Sequence, residues 1–107
     1  MVHEIDVHEL KALLDSNAPV YLVDVRQPWE YEIGHLAGSL LLPLPELAGR
    51  AREVRPPPGA QVVTLCHHGV RSLDAARLLS RIGLTVASLA GGLDRWSVEI
   101  DPALPRY

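Results

Sequence analysis

Gln61-Val62-Val63-Thr64-Leu65-Cys66-His67-His68-Gly69-Val70-Arg71-Ser72 is the stretch on which the fold of this chain turns. Gln61 to Leu65 has the length and apolar character of a buried strand. Beyond Cys66 the character changes abruptly to a glycine, an arginine and a serine suited to capping a helix. Ser72 is expected to open a helix with Asp74 in its first turn, and Leu73, Ala76, Leu79 and Ile82 to line one face until Gly83. A buried strand feeding a helix through a tight turn is half of a βαβ crossover, which predicts a parallel sheet.

Reading outward, the same alternation recurs. His3 to Ile5 is a short first strand; Asp6 then caps a helix with Glu9 three residues on and with Leu10, Leu13 and Leu14 at helical spacing. Val20 to Val25 is a second strand. Pro28 opens a short helix with Trp29 and Ile33, closed by Gly34, and Ser39 to Leu42 is a third strand. Pro45 opens a helix with Leu47, Ala51 and Val54 on one face, and Pro56-Pro57-Pro58 with Gly59 forms a loop. Val86 to Leu89 is the last strand, after which Gly91-Gly92 turns into a helix bearing Leu93 and Trp96. The tail, Asp101 to Tyr107, reads as irregular. The class is α/β: about five strands, mainly parallel, in one domain over residues 1–107. In such sheets ligands bind beyond the carboxyl ends of the strands, where Cys66, Asp24 and Arg26 all fall.

The chain has 107 residues, a formal net charge of -3 and a single lysine. No basic run offers a surface for nucleic acid or anionic membrane, and Arg50, Arg52 and Arg55, interleaved with Glu46 and Glu53, read as a solvated helix face. No segment has signal-peptide or membrane-spanning character, so the expected location is cytoplasmic. The one cysteine leaves no internal disulfide to form. A reducing compartment, where a thiol stays free, fits that count.

A thiol reacts as its thiolate, and an ordinary cysteine with a pKa of about 8.5 is mostly protonated at neutral pH. A short loop entering a helix supplies the missing positive potential, because successive backbone N–H groups can turn inward as an anion-binding nest and the helix dipole adds to it. Gly69 allows the tight curl, and Arg71 brings a charged fork suited to an oxyanion. Sulfur transfer and phosphoryl transfer both use such a cradle. Cysteine-dependent phosphatases space cysteine and arginine by one residue more than the four that separate Cys66 from Arg71, so the ring here is smaller.

The loop Cys66-His67-His68-Gly69-Val70-Arg71-Ser72 resembles the active-site loop of the rhodanese family of single-domain sulfurtransferases. Val23-Asp24-Val25-Arg26, Trp29-Glu30-Tyr31 and Gly34-His35-Leu36-Ala37-Gly38-Ser39 are similar to the family's N-terminal signature. Leu89-Ala90-Gly91-Gly92-Leu93-Asp94-Arg95-Trp96 is similar to its C-terminal one. The resemblance implies a three-layer fold with helices on both faces of the sheet. It also implies that Cys66 takes the outer sulfur of a small anionic donor such as thiosulfate as a persulfide and passes it to cyanide, a thiol or a protein acceptor. Loop N–H groups from His67 to Ser72 would hold the persulfide, and Arg71 would attract the donor and stabilise departing sulfite. No metal or organic cofactor is implied.

Other readings stand beside this one. A lone cysteine ending an apolar strand is often inert packing. A rhodanese-like module can carry or sense sulfur, or dock a partner, without turnover, and a small cysteine phosphatase or arsenate reductase would use the same cradle. Cys66, His67 and His68, even with His35, lack the spacing of a metal site. Asp24 reads as a structural ion-pair residue. Arg26 is open between pairing and steering anions at the mouth, and His35 and Glu32 are possible supporting residues. Trp29 and Trp96 are expected to pack, and His3 and His8 to lie on the surface.

Overall fold

The computed structural model describes residues 2–107. In chain order the elements are β1 (His3–Ile5), α1 (Val7–Asp15), β2 (Val20–Asp24), α2 (Pro28–Ile33), β3 (Leu40–Leu41), α3 (Leu44–Arg50), a 3₁₀ turn (Ala51–Glu53), β4 (Gln61–Leu65), α4 (Arg71–Arg81), β5 (Val86–Leu89) and α5 (Gly92–Glu99). The strands form one sheet in the order β1-β5-β4-β2-β3, and every neighbouring pair is parallel. The alternation read from the sequence therefore gives the expected five-stranded α/β sheet.

Period-two geometry explains the three layers. Neighbouring residues of a strand point to opposite faces. Val23, Val62 and Val86 accordingly join Leu47, Ala75, Ala76 and Leu79 in a core beneath α3 and α4. Leu22, Val63 and Ala87 join Leu10, Leu93 and Trp96 in a second core beneath α1 and α5. A strand buried on both faces is predominantly apolar, which is why β4 reads as a nearly continuous run, with Thr64 its one fully buried polar residue.

The ends of several elements depart from expectation. Asp6 caps α1 as read, accepting the Glu9 N–H while Glu9 returns the bond. β2 stops at Asp24 and β3 keeps only Leu40 and Leu41, with the Leu42 N–H still donating to the Asp24 carbonyl at 2.8 Å and the Leu44 N–H to the Val25 carbonyl at 3.1 Å. α3 begins at Leu44, with Pro45 in its first turn, and ends at Arg50; Ala51 lies in the 3₁₀ turn and Val54 beyond it. α4 begins at Arg71, one residue before the expected cap, so Ser72 is a buried first-turn residue and not a cap. Ile82 falls just past α4 and is 57% exposed, leaving Ser72, Ala75, Ala76 and Leu79 as the buried face. Among the described residues no helix is long and apolar enough to cross a membrane.

Candidate active site

The segments that follow β2, β4 and β5 meet at the carboxyl edge of the sheet, and Cys66 stands at their centre, 1% exposed. Its Sγ accepts the Gly69 N–H at 3.1 Å and the Ser72 N–H at 3.4 Å, and lies 3.5 Å from the Ser72 hydroxyl oxygen. The Ser72 N–H belongs to the free first turn of α4, so the helix dipole points at the same sulfur.

The ring of N–H groups is held open from behind. The carbonyl of Cys66 accepts the Leu93 N–H at 2.8 Å, and that of His67 accepts the Asp94 N–H at 3.0 Å. These donors are the unpaired first-turn groups of α5. A trans peptide whose carbonyl is drawn outward presents the next N–H inward, so α5 orients the loop that cradles Sγ. Gly69 takes φ +96, and a Cβ there would come within 3.0 Å of the Gly91 nitrogen. The Gly91-Gly92 pair therefore serves close approach of two backbones as much as a turn.

Ser72 is fixed from the sheet. Thr64 and Ser88 are paired across β4 and β5; Thr64 Oγ1 donates to the Ser72 carbonyl at 2.8 Å and Ser88 Oγ donates to Ser72 Oγ at 2.7 Å. Receiving from Ser88 leaves the Ser72 hydroxyl proton free to point at the sulfur. Two hydroxyls in otherwise apolar buried strands were the signal for this support.

Arg71 is engaged by a residue to which the sequence reading gave no role. Its Nη1 and Nη2 donate to Glu30 Oε1 and Oε2 at 2.6 and 2.8 Å in a two-point fork. Glu30 is 3% exposed and also accepts the Tyr107 hydroxyl at 2.6 Å and the Gln27 N–H at 2.9 Å. The fork to Arg71 holds the Glu30 carboxyl down to about 2, against the cost of burial. Tyr107 brings the irregular tail into the site: its ring centroid is 4.1 Å from that of His67 and 5.7 Å from that of Trp29. Trp29, expected to pack, is instead 58% exposed, while Trp96 is buried as read.

Arg26 does not stand at the mouth. It is 1% exposed, with Nε and Nη2 on the Asp24 carboxylate, Nη1 on the Glu30 carbonyl and the Tyr107 hydroxyl, and Nη2 also on the Gly34 carbonyl. Asp24 is fully buried in this pair, so both residues tie β2 to the middle of α2 and to its C-cap, Gly34, and the steering role for Arg26 falls. His35 stacks on Tyr31 at 3.7 Å and donates from Nδ1 to the Tyr31 carbonyl, within its own turn. His67 has its Nδ1 buried without a partner, and burial pushes its pKa below the ordinary histidine value. His68 is exposed, its ring centroid 4.0 Å from that of His67, and Val70 projects into solvent. Among the described residues, histidine, cysteine, aspartate and glutamate form no group of three able to hold a metal ion.

Comparison with known proteins gives the family to which this fold belongs. A family model described as a rhodanese-like domain matches residues 6–99. The adenylyltransferase and sulfurtransferase MOCS3 of Aedes aegypti is 36% identical over 115 residues, covering 98% of this chain and 26% of the relative. The chain thus spans about a quarter of such curated relatives, as it does of MoeZ from Mycobacterium tuberculosis, where the share is again 26%. The solved human single-domain sulfurtransferase TSTD1 superposes with a TM-score of 0.77 at 26% identity, covering 92% of this chain and 98% of that one. A rhodanese-related protein from Thermoplasma volcanium gives 0.82 at 28% identity, over 92% and 93%. With the fold, the order of motifs and the family model in agreement, the chain belongs to the rhodanese-like domain family, whose members here include sulfurtransferases.

Proposed function

We propose that this chain is a sulfurtransferase that carries sulfane sulfur on Cys66. The observation that carries the reading is the convergence of two backbone donors on Sγ, Gly69 N–H and Ser72 N–H, with the Ser72 hydroxyl oxygen 3.5 Å away. Donors aimed at one sulfur stabilise its anionic form, and a side chain serving only as packing needs none of them.

In the first half-reaction the Cys66 thiolate attacks the outer sulfur of a donor. The donor's sulfur–sulfur bond breaks, its electron pair leaves with the remainder, sulfite in the case of thiosulfate, and Cys66 becomes a persulfide. In the second, an acceptor thiolate or cyanide attacks the outer sulfur and the Cys66 thiolate departs. Loop N–H groups from His67 to Ser72 hold the sulfur between the two steps. A cysteine at the floor of its ring is reached only by the outermost atom of a reactant, which suits a terminal sulfur. Asp24 and Arg26 support the site by fixing the segment after β2. The chemistry needs no metal or organic cofactor, and neither nucleic acid nor membrane is a partner in it.

The test is direct. Treatment with thiosulfate or with an organic persulfide should add the mass of one sulfur atom to the intact protein, removable by cyanide or dithiothreitol, and Cys66→Ala should abolish the adduct. An adduct that survives in Cys66→Ala, or none in the parent protein with either donor, would end the proposal.

A further inference from the structure

Arg71 is the only arginine or lysine in the Cys66–Ser72 loop, and its charge is matched before any donor arrives. Glu30 grips it through both carboxylate oxygens and is itself fixed by Tyr107 and Gln27. The neighbouring charges are matched too: Arg26 by Asp24, and Asp94, close to His67, by Arg106. Burial disfavours the charged form of His67. Because Glu30 stays ionised down to about 2, mild acid does not release Arg71. What faces Sγ is a set of backbone dipoles and one hydroxyl.

That arrangement discriminates between donors by charge. Thiosulfate is a dianion, so with the Cys66 thiolate it places three negative charges in the site, and sulfite leaves as a dianion. An organic persulfide reacts as R–S–SH: the thiolate attacks the outer sulfur, the sulfur–sulfur bond breaks with its electron pair leaving on R–S⁻, and Cys66–S–SH forms. One negative charge is present throughout. Dipoles sized for one sulfur anion serve the second reaction, while the first gains more from a free cation, which the pairing with Glu30 withholds.

Resting on the sulfur-transfer reading above, we propose that Glu30 is a specificity-determining residue, which by pairing with Arg71 sets the donor as an organic persulfide in preference to thiosulfate. Glu30 acts through Arg71 and is a positioning residue.

The test measures the rate at which the single-sulfur adduct forms on Cys66 of the full chain, by intact mass, with thiosulfate and with cysteine persulfide at equal concentration. Organic persulfides are intrinsically the faster donors, so the decisive quantity is how the ratio of the two rates changes on substitution. Glu30→Gln keeps an acceptor for Arg71 but removes the charge, and should shift the ratio toward thiosulfate by roughly tenfold, the kinetic equivalent of one matched charge. An unchanged ratio, or a shift toward the persulfide, overturns the proposal. A second readout needs no variant. Raising salt from about 20 to about 200 mM screens exposed charges, and the parent protein's thiosulfate rate should not fall; a severalfold fall would reveal a free cation and overturn the assignment. If neither donor loads Cys66, sulfur transfer itself fails, an outcome distinct from both donors loading with no response to Glu30.

Discussion

Gly92 lies directly behind Cys66: a Cβ built on Gly92 would stand 2.5 Å from the Cys66 carbonyl oxygen, and its φ of +63 is one that only glycine adopts at low cost. The closeness lets the first turn of α5 reach the loop carbonyls. Gly92→Ala should therefore cost about 3 kcal/mol, combining the left-handed backbone penalty with displacement of the loop. It should also slow sulfur loading of Cys66 by an order of magnitude, because the inward N–H groups lose their alignment. Urea denaturation and intact mass measure the two effects. A stable, fully loading variant would show that α5 does not hold the ring.

Ser72 connects Cys66 to the sheet, accepting from Ser88 at 2.7 Å while its own oxygen lies 3.5 Å from Sγ. Ser72→Ala removes a donor to the sulfur anion and strands the buried Ser88 hydroxyl. We expect a stability loss of about 1–2 kcal/mol and alkylation of Cys66 by iodoacetamide at neutral pH slowed roughly tenfold. The stability loss without slower alkylation would confine Ser72 to a structural role.

The Asp24–Arg26 pair predicts the opposite separation of effects. Removing Asp24 leaves a guanidinium buried and unmatched, so Asp24→Ala should cost about 3–5 kcal/mol, seen as a fall in Tm on the order of 15 °C. The double variant Asp24→Ala/Arg26→Met should recover a large part of that loss, since no charge then stays buried. A double variant no more stable than Asp24→Ala would mean that the pair's hydrogen bonds to Gly34 and Glu30, and not its charge balance, hold the segment after β2.

How much of this was open to sequence reading depends on whether the deciding interaction is local. Strand β4, the Asp6 cap and the turn at Gly69 follow from periodicity and from residues near one another in the chain, and they stand where expected. Ser72 resembled a cap because serine favours that position, but tertiary hydrogen bonds from Thr64 and Ser88 draw it inside α4. Trp29 sits at helical spacing from Ile33, yet α2 turns that side outward and buries Glu30 instead. Arg71 and Tyr107 lie 41 and 77 residues along the chain from Glu30, and no local pattern announces such contacts. The tail looked irregular and is irregular; its last side chain matters because of where the chain leads it.

Glu30 also links the site to acid stability. Its folded pKa, about 2, lies below the ordinary 4.5 because Arg71 favours the carboxylate. A depressed folded value means the pairing stabilises the protein above pH 4.5, and that this contribution is lost as pH falls from 4.5 toward 2. The full shift corresponds to about 3 kcal/mol; with the Arg71 side chain 35% exposed, solvent screening brings the expected effect to about 1–2 kcal/mol. Urea midpoints at pH 6 and pH 3 should accordingly converge in Glu30→Gln relative to the parent. Identical pH dependence in the two proteins would mean that Arg71 and Glu30 contribute nothing to stability through their charges, and it would weaken the case that their pairing sets the donor.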